Sequence, residues 1–94
     1  MSDSTANSPA EPLNVYAVLA VMLDQMSAIA WQKMGLRPDP FTGTMERDLA
    51  QARAAIDVAE MMMKTLEGQL DEEDRRQTHN LMRDLKVNYV EQNK

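Results

Sequence analysis

The chain carries one histidine and no cysteine among its 94 residues. Thiolate nucleophiles, disulfides and sulfur-ligated zinc are therefore excluded. The histidine, His79, lacks what a di-metal carboxylate bundle needs. That site wants a second histidine and a glutamate three positions before each, and position 76 is Arg. Asp57 with Glu60, and Asp71 with Asp74, have the i,i+3 spacing that can offer oxygen ligands to Mg²⁺ or Ca²⁺. Asp71 and Asp74, however, fall where a helix N-terminus draws negative charge in any case. No glycine-rich phosphate loop and no nucleophile elbow is present. With no acid, base and nucleophile set, no catalysis is expected, and no cofactor or metal either.

Basic residues form the next pattern. Arg76, His79, Arg83 and Lys86 follow one another at steps of three, four and three, which places them on one helical face. Such a stripe can touch RNA phosphates, as in a ribosome-associated protein, or another anion. Three observations favour a solvated face instead. Asp71 precedes Arg75 by four and Glu72 precedes Arg76 by four, the favourable order for intrahelical pairs. Tyr89, the aromatic of this segment, lies on the apolar side and offers no stacking platform. The chain has 15 acidic and 10 basic residues, a net charge of −5, the wrong sign for bulk attraction to nucleic acid. Lys64-Thr65 could hold an anion, but a helix-terminal cation paired with Glu60 is the simpler reading.

Methionine is the third pattern, with nine copies. Met fills irregular gaps in cores and also builds adaptable binding surfaces. Met61, Met62 and Met63 cannot share one seam, because successive helical residues are 100° apart. At least one of them faces away from the chain's own core.

Three helices must position these residues. The first is expected over about 14–34, capped by Asn14 and ended at Gly35 with Pro38 beyond. Val15, Leu19, Met22, Met26 and Ile29 keep helical spacing, yet Tyr16, Val18, Val21 and Leu23 add apolar surface on other sides. The second is expected over about 45–67, capped by Thr42 or Thr44, with Glu46 and Asp48 in its first turn and Gly68 at its end. Met45, Leu49, Ala52, Ile56, Ala59, Met63 and Leu66 are spaced 4-3-4-3-4-3, a heptad seam flanked by small Ala50, Ala54 and Ala55. The third is expected over about 72–91 with Asp71 as cap and Thr78, Leu81, Met82, Leu85 and Tyr89 as apolar stripe. Between the first two lies a Pro- and Gly-containing connection anchored by Leu36 and Phe41. Residues 1–12 are polar and expected to be a disordered tail, and 13–94 a single helical domain.

The string Asp48-Leu49, Ala52-Arg53, Ile56-Asp57, Lys64-Thr65, Gly68, Leu70, Glu73, Leu81, Leu85, Tyr89 and Val90 resembles a bacterial family of short helical proteins catalogued as a domain of unknown function, number 1844. Met34-Gly35, Pro38-Asp39-Pro40 and Gly43 are similar as well. The resemblance covers most of residues 13–91. It implies an all-helical fold and the cytoplasm, and no activity, since the family has none established.

The fold class expected is all-α: a three-helix bundle, or helical hairpin plus N-terminal helix, completed by oligomerisation. The apolar surface exceeds what one small interior uses, so a homo-oligomer, with a dimer favoured, is expected across a two-fold axis. Its interface is expected at Val18, Val21, Met22, Met26, Met61 and Met62, which would serve another protein partner equally. Nucleic acid is disfavoured as a partner. A membrane is not expected either, because the apolar run Leu13–Leu23 covers only 11 residues. The segment before that run holds Asp3 and Glu11 and no Lys or Arg, so a secretory signal is not expected and a cytoplasmic location is.

Overall fold

The computed structural model describes residues 11–94; the expected tail lies outside the described residues save for Glu11 and Pro12, which are exposed and irregular. The fold is mainly α-helical. Its order is α1 (Val15–Lys33), β1 (Met34–Pro38), β2 (Met45–Arg47), α2 (Leu49–Leu66), one 3-10 turn (Glu67–Gln69) and α3 (Glu72–Gln92).

Local chemistry sets most of the helix ends. Asn14 accepts from the amides of Tyr16 (2.9 Å) and Ala17 (3.3 Å) and starts α1. Asp71 accepts from Asp74 N at 2.8 Å and starts α3. At the end of α1, Met34 is the last residue near helical geometry, and Gly35 follows at φ 79°, the left-handed conformation that glycine adopts without steric cost.

The connection between α1 and α2 differs from expectation. It is an antiparallel β-pair, with Met34 opposite Arg47 and Pro38 opposite Met45. Four steps along β1 therefore match two along β2, so β1 is bulged between Met34 and Pro38. This pairing corrects the start of α2. Met45 belongs to β2 and is exposed, not the first residue of the heptad seam. Thr42 and Thr44 do not cap α2. Asp48 does, accepting from Gln51 N at 3.0 Å, while its own amide donates to Lys33 O at 2.8 Å. Residues 45–47 have their backbone taken by the sheet, and a carboxylate is then well placed to cap. Phe41 is no anchor either: it is 96% exposed at the hairpin tip. Gly68 lies in the middle of the 3-10 turn, two residues beyond the end of α2.

α1 packs along α2, and α3 packs on α2 with little reach to α1. The α1–α2 joint is lined by small side chains. Ala30, Ala52 and Ala59 are wholly buried, and Ala55 nearly so. Ser27 is buried there too, its hydroxyl donating to Leu23 O at 2.8 Å, so no polar group is orphaned. The remainder of the expected seam holds: Ile56, Met63 and Leu66 are buried and Leu49 packs against the core. Met82 and Leu85 complete it from α3. Met34 and Leu85 are the largest wholly buried side chains. Arg37 of β1 lies over the Trp31 ring at 5.5 Å, a cation–π contact that ties the hairpin back to α1.

The two glycines should respond oppositely to alanine. At Gly35 the positive φ strains any side chain, and an added Cβ would meet Arg47 Cβ at 3.4 Å. Gly35→Ala is expected to cost about 1–2 kcal/mol in urea unfolding. Gly68 has no positive φ and open space around it, so Gly68→Ala is expected to leave stability unchanged or raise it by up to about 1 kcal/mol.

Candidate interaction surfaces

α1 has two unlike sides. Leu23, Ser27 and Ala30 turn to α2, with Leu19, Ala20, Met26 and Trp31 half-buried around them. The opposite side is mostly apolar and exposed, save for half-buried Ala28 and Gln32. Val18, Met22, Gln25, Ile29 and Gln32 follow one another at 4-3-4-3 spacing, with Val21 and Ala28 beside them. Val18, Val21, Met22 and Ile29 are each 40–57% exposed. No charged side chain interrupts this outward face between Val15 and Gln32; Asp24 falls on the flank. By length and composition α1 is also long and apolar enough to cross a membrane.

The other expected interface residues divide. Met61 is 65% exposed on α2, whereas Met26 and Met62 pack against the core and Met63 is buried. The methionine triplet thus splits as helix geometry requires. Met26 and Ile29 share a shallow groove with Gln51, Ala54, Ala55 and Val58, and Met61 and Met62 continue that row of α2 by one turn.

Sequence reasoning did not assign Phe41 to a surface. The hairpin tip that carries it is closely braced. Asp39 accepts at Oδ1 from Phe41 N (2.7 Å) and Thr42 N (3.2 Å). Its backbone accepts from Gly43 N and donates to Thr44 O, both at 2.8 Å. Pro40 fits the second turn position and Gly43, at φ 73°, the left-handed one. Phe41 is therefore held out rigidly. Between the tip and α1 lies an open cleft of about 580 Å³, walled by Gln25, Ala28, Ile29, Gln32 and Lys33 on one side and Asp39, Pro40 and Phe41 on the other. The signal for this was present as Asp39-Pro40 and Gly43 framing an aromatic residue.

The basic stripe sits on α3 beside α2, where its charges meet carboxylates. Lys86 Nζ donates to Glu60 Oε2 at 2.5 Å, and His79 Nε2 lies 2.5 Å from Glu67 Oε2. Arg76 pairs with Glu73, not with Glu72, and Arg83 lies 3.8 Å from Asp84. Arg75 donates to Leu70 O at 3.0 Å. Lys64 does not take Glu60 as its partner; Lys86 does, across the helices. Together Glu60, Lys64, Glu67, His79, Arg83 and Lys86 rim a cleft of about 440 Å³ floored by Met63, Met82 and Val87. Its first visible action is structural, clipping α3 to α2. The carboxylate pairs are likewise engaged locally. Asp57 faces Arg53 at 4.0 Å, and Asp71 and Asp74 belong to the α3 cap. Among the described residues no three His, Asp or Glu side chains converge as metal ligands would.

Residues 17–91 match the model of a family described as a domain of unknown function (DUF1844). The chain belongs to that family. The match begins within α1 and ends within the last turn of α3, so it takes in both surfaces and the hairpin between them. No curated protein matches the chain, and no solved structure does.

The Lys86–Glu60 bond and the nearby Lys64 charge hold the Glu60 carboxyl below its usual range. A lowered folded-state pKa stabilises the fold above the ordinary carboxylate pKa and loses that effect as pH falls through the lowered value. Glu60→Gln is therefore expected to cost up to about 1 kcal/mol at neutral pH, as partly exposed pairs do. The deficit against the unsubstituted chain should close once pH drops below the carboxylate range, read by urea unfolding at a series of pH values. A deficit unchanged in acid would show that Glu60 acts by packing.

Proposed function

We propose that the protein is a small, non-catalytic helical interaction module that works as a homo-oligomer, in its simplest form a dimer, in the cytoplasm. The observation that carries this reading is the outward face of α1. Val18, Val21, Met22 and Ile29 stand exposed in an uncharged row on a helix whose other side is already packed. Each such side chain forgoes part of the roughly 1.5–3 kcal/mol that full burial brings. An acidic chain that keeps one face free of charge has a surface suited to another apolar surface, and a copy of itself is always at hand.

A bilayer suits this helix less well. Insertion would carry Asp24 to the middle of the span, a penalty of about 2.5–3.5 kcal/mol. It would also strip Leu23, Ser27 and Ala30 from α2. RNA finds little on α3, where Arg76, His79 and Lys86 already face carboxylates.

The test is absolute mass in solution, by light scattering behind a sizing column at several concentrations. A mass of twice 10.6 kDa, or a larger multiple, is expected. Replacing Val18 and Met22 together with Asp should return a monomer that keeps its helical circular dichroism. An assembly that survives this double substitution unchanged would remove α1 from the interface. Incubation with RNA at low ionic strength is expected to give no complex.

A further inference from the structure

We infer that Met22 and Met61 are modification sites for oxidants of the peroxide class, and that their conversion to sulfoxide turns the apolar α1–α2 groove polar while the fold persists. The inference stands on where these side chains lie in the folded chain. Only its effect on assembly rests on the homo-oligomer reading above, which it deepens by naming a means of regulation.

Methionine supplies all the sulfur of the chain, since cysteine is absent. No thiolate of its own therefore takes up an oxidant ahead of a thioether. The described methionines fall into three grades of access. Met34, Met63 and Met82 are 0–5% exposed. Met26 and Met62 are half-buried against the core. Met22, Met45 and Met61 are 46%, 61% and 65% exposed. An oxidant has to reach the sulfur lone pair, so access sets the order of reaction.

Two of the three open methionines belong to one place. The groove between α1 and α2 has Met26 and Ile29 on one bank and Gln51, Ala54, Ala55 and Val58 on the other. Met22 extends the first bank by one helical turn, and Met61 extends the second from Val58. The hairpin reverses the chain, and Asp48 N is bonded to Lys33 O where the two helices join. Both extensions therefore run the same way, away from the joint. Met22 lies 11 residues back from Lys33 and Met61 13 residues on from Asp48. At 1.5 Å per residue their levels differ by about 3 Å along the helix axes. Met45, on β2, does not line this groove and serves as an equally open comparison.

The step is a two-electron oxidation. The thioether sulfur attacks one oxygen of the peroxide, the S–O bond forms and the O–O bond breaks. The departing oxygen takes up the proton of the transferred one and leaves as water, so sulfur is oxidised and peroxide reduced. A flexible apolar side chain becomes a polar one with a strong hydrogen-bond acceptor. At Met22 and Met61 that oxygen can face water, so the core is undisturbed. At Met34, Met63 or Met82 it would be buried without a donor, which the fold does not tolerate cheaply. The same reagent thus alters the surface first and the interior last.

The test treats the full chain with hydrogen peroxide at low protein concentration and scores each site by peptide mass spectrometry. Oxygen is expected at Met22, Met45 and Met61 while Met34, Met63 and Met82 stay unmodified and helical circular dichroism is unchanged. Retention on a hydrophobic-interaction column is expected to fall, and an oligomer to shift toward 10.6 kDa in light scattering. Met22→Leu with Met61→Leu keeps the groove apolar and removes both oxygen acceptors. That double variant is expected to hold most of its retention, and its mass, through the same treatment. Met45→Leu is expected to lose them as the unsubstituted chain does. Sparing of Met22 and Met61 while Met45 reacts would overturn the inference. So would a retention loss as large in the double variant as in the unsubstituted chain, or a helical signal that falls in step with oxygen uptake. An oligomer that keeps its mass with both sulfoxides present would overturn the regulation and leave the homo-oligomer reading intact. A chain already monomeric before treatment would remove that reading alone, and the retention comparison then decides the inference.

Discussion

The close approach of α1 to α2 governs where every other element can lie. Ala30, Ala52, Ala55, Ala59 and Ser27 keep the two backbones near each other, because none of these side chains is large enough to hold them apart. A gap so narrow can receive only one stripe of α1. Leu23 and Met34 fill its length, and Met26 and Trp31 close its edges. The other apolar residues of α1 have no room on that side. α3 does not reach round to cover them, since it packs chiefly on α2. A helix that is apolar nearly all round is thus left half covered.

The hairpin arises from the same joint. With α1 and α2 side by side, the chain leaving α1 has to turn at once. Gly35 allows the turn, Met34 is drawn into the core beneath it, and Asp48 N returns a hydrogen bond to Lys33 O. The extra residues of β1 are absorbed as a bulge, and the tip bends over the outer side of α1. Thus one feature, a tight helix pair, both exposes the outward face and sets an aromatic residue beside it. The charged cleft on the far side of α2 is its counterpart in polar terms. There Glu60 and Glu67 take Lys86 and His79, and charge closes α3 on α2 where apolar side chains are fewer.

The helices were legible because their signals are local. Asn14 and Asp71 cap within three residues of themselves, and the row from Leu49 to Leu66 repeats at a spacing only a helix can use. The start of α2 was not legible for a related reason. Met45 lies four before Leu49 and so imitates one more seam position, while the strand that claims it is paired to the earlier strand, Met45 itself to Pro38. The partner of Glu60 was missed likewise: Lys64 is four residues away along the chain, but Lys86, 26 residues on, comes closer once α3 folds back. Phe41 was misplaced because an aromatic residue in a short connection reads as an anchor. Its exposure depends on the path of the hairpin, which no local pattern encodes. The surplus of apolar surface on α1, by contrast, is a matter of counting around a helix and needs no tertiary contact.

Trp31 is the sole indole of the chain, and it stands where helix, strand and hairpin converge, with the Arg37 guanidinium over its ring. Its emission is therefore an optical reporter of that joint. Water reaching the ring as Arg37 swings away would shift the fluorescence toward longer wavelength before either long helix had unwound. The molecule thus carries a built-in, label-free probe that distinguishes loosening of the hairpin from loss of the helical pair.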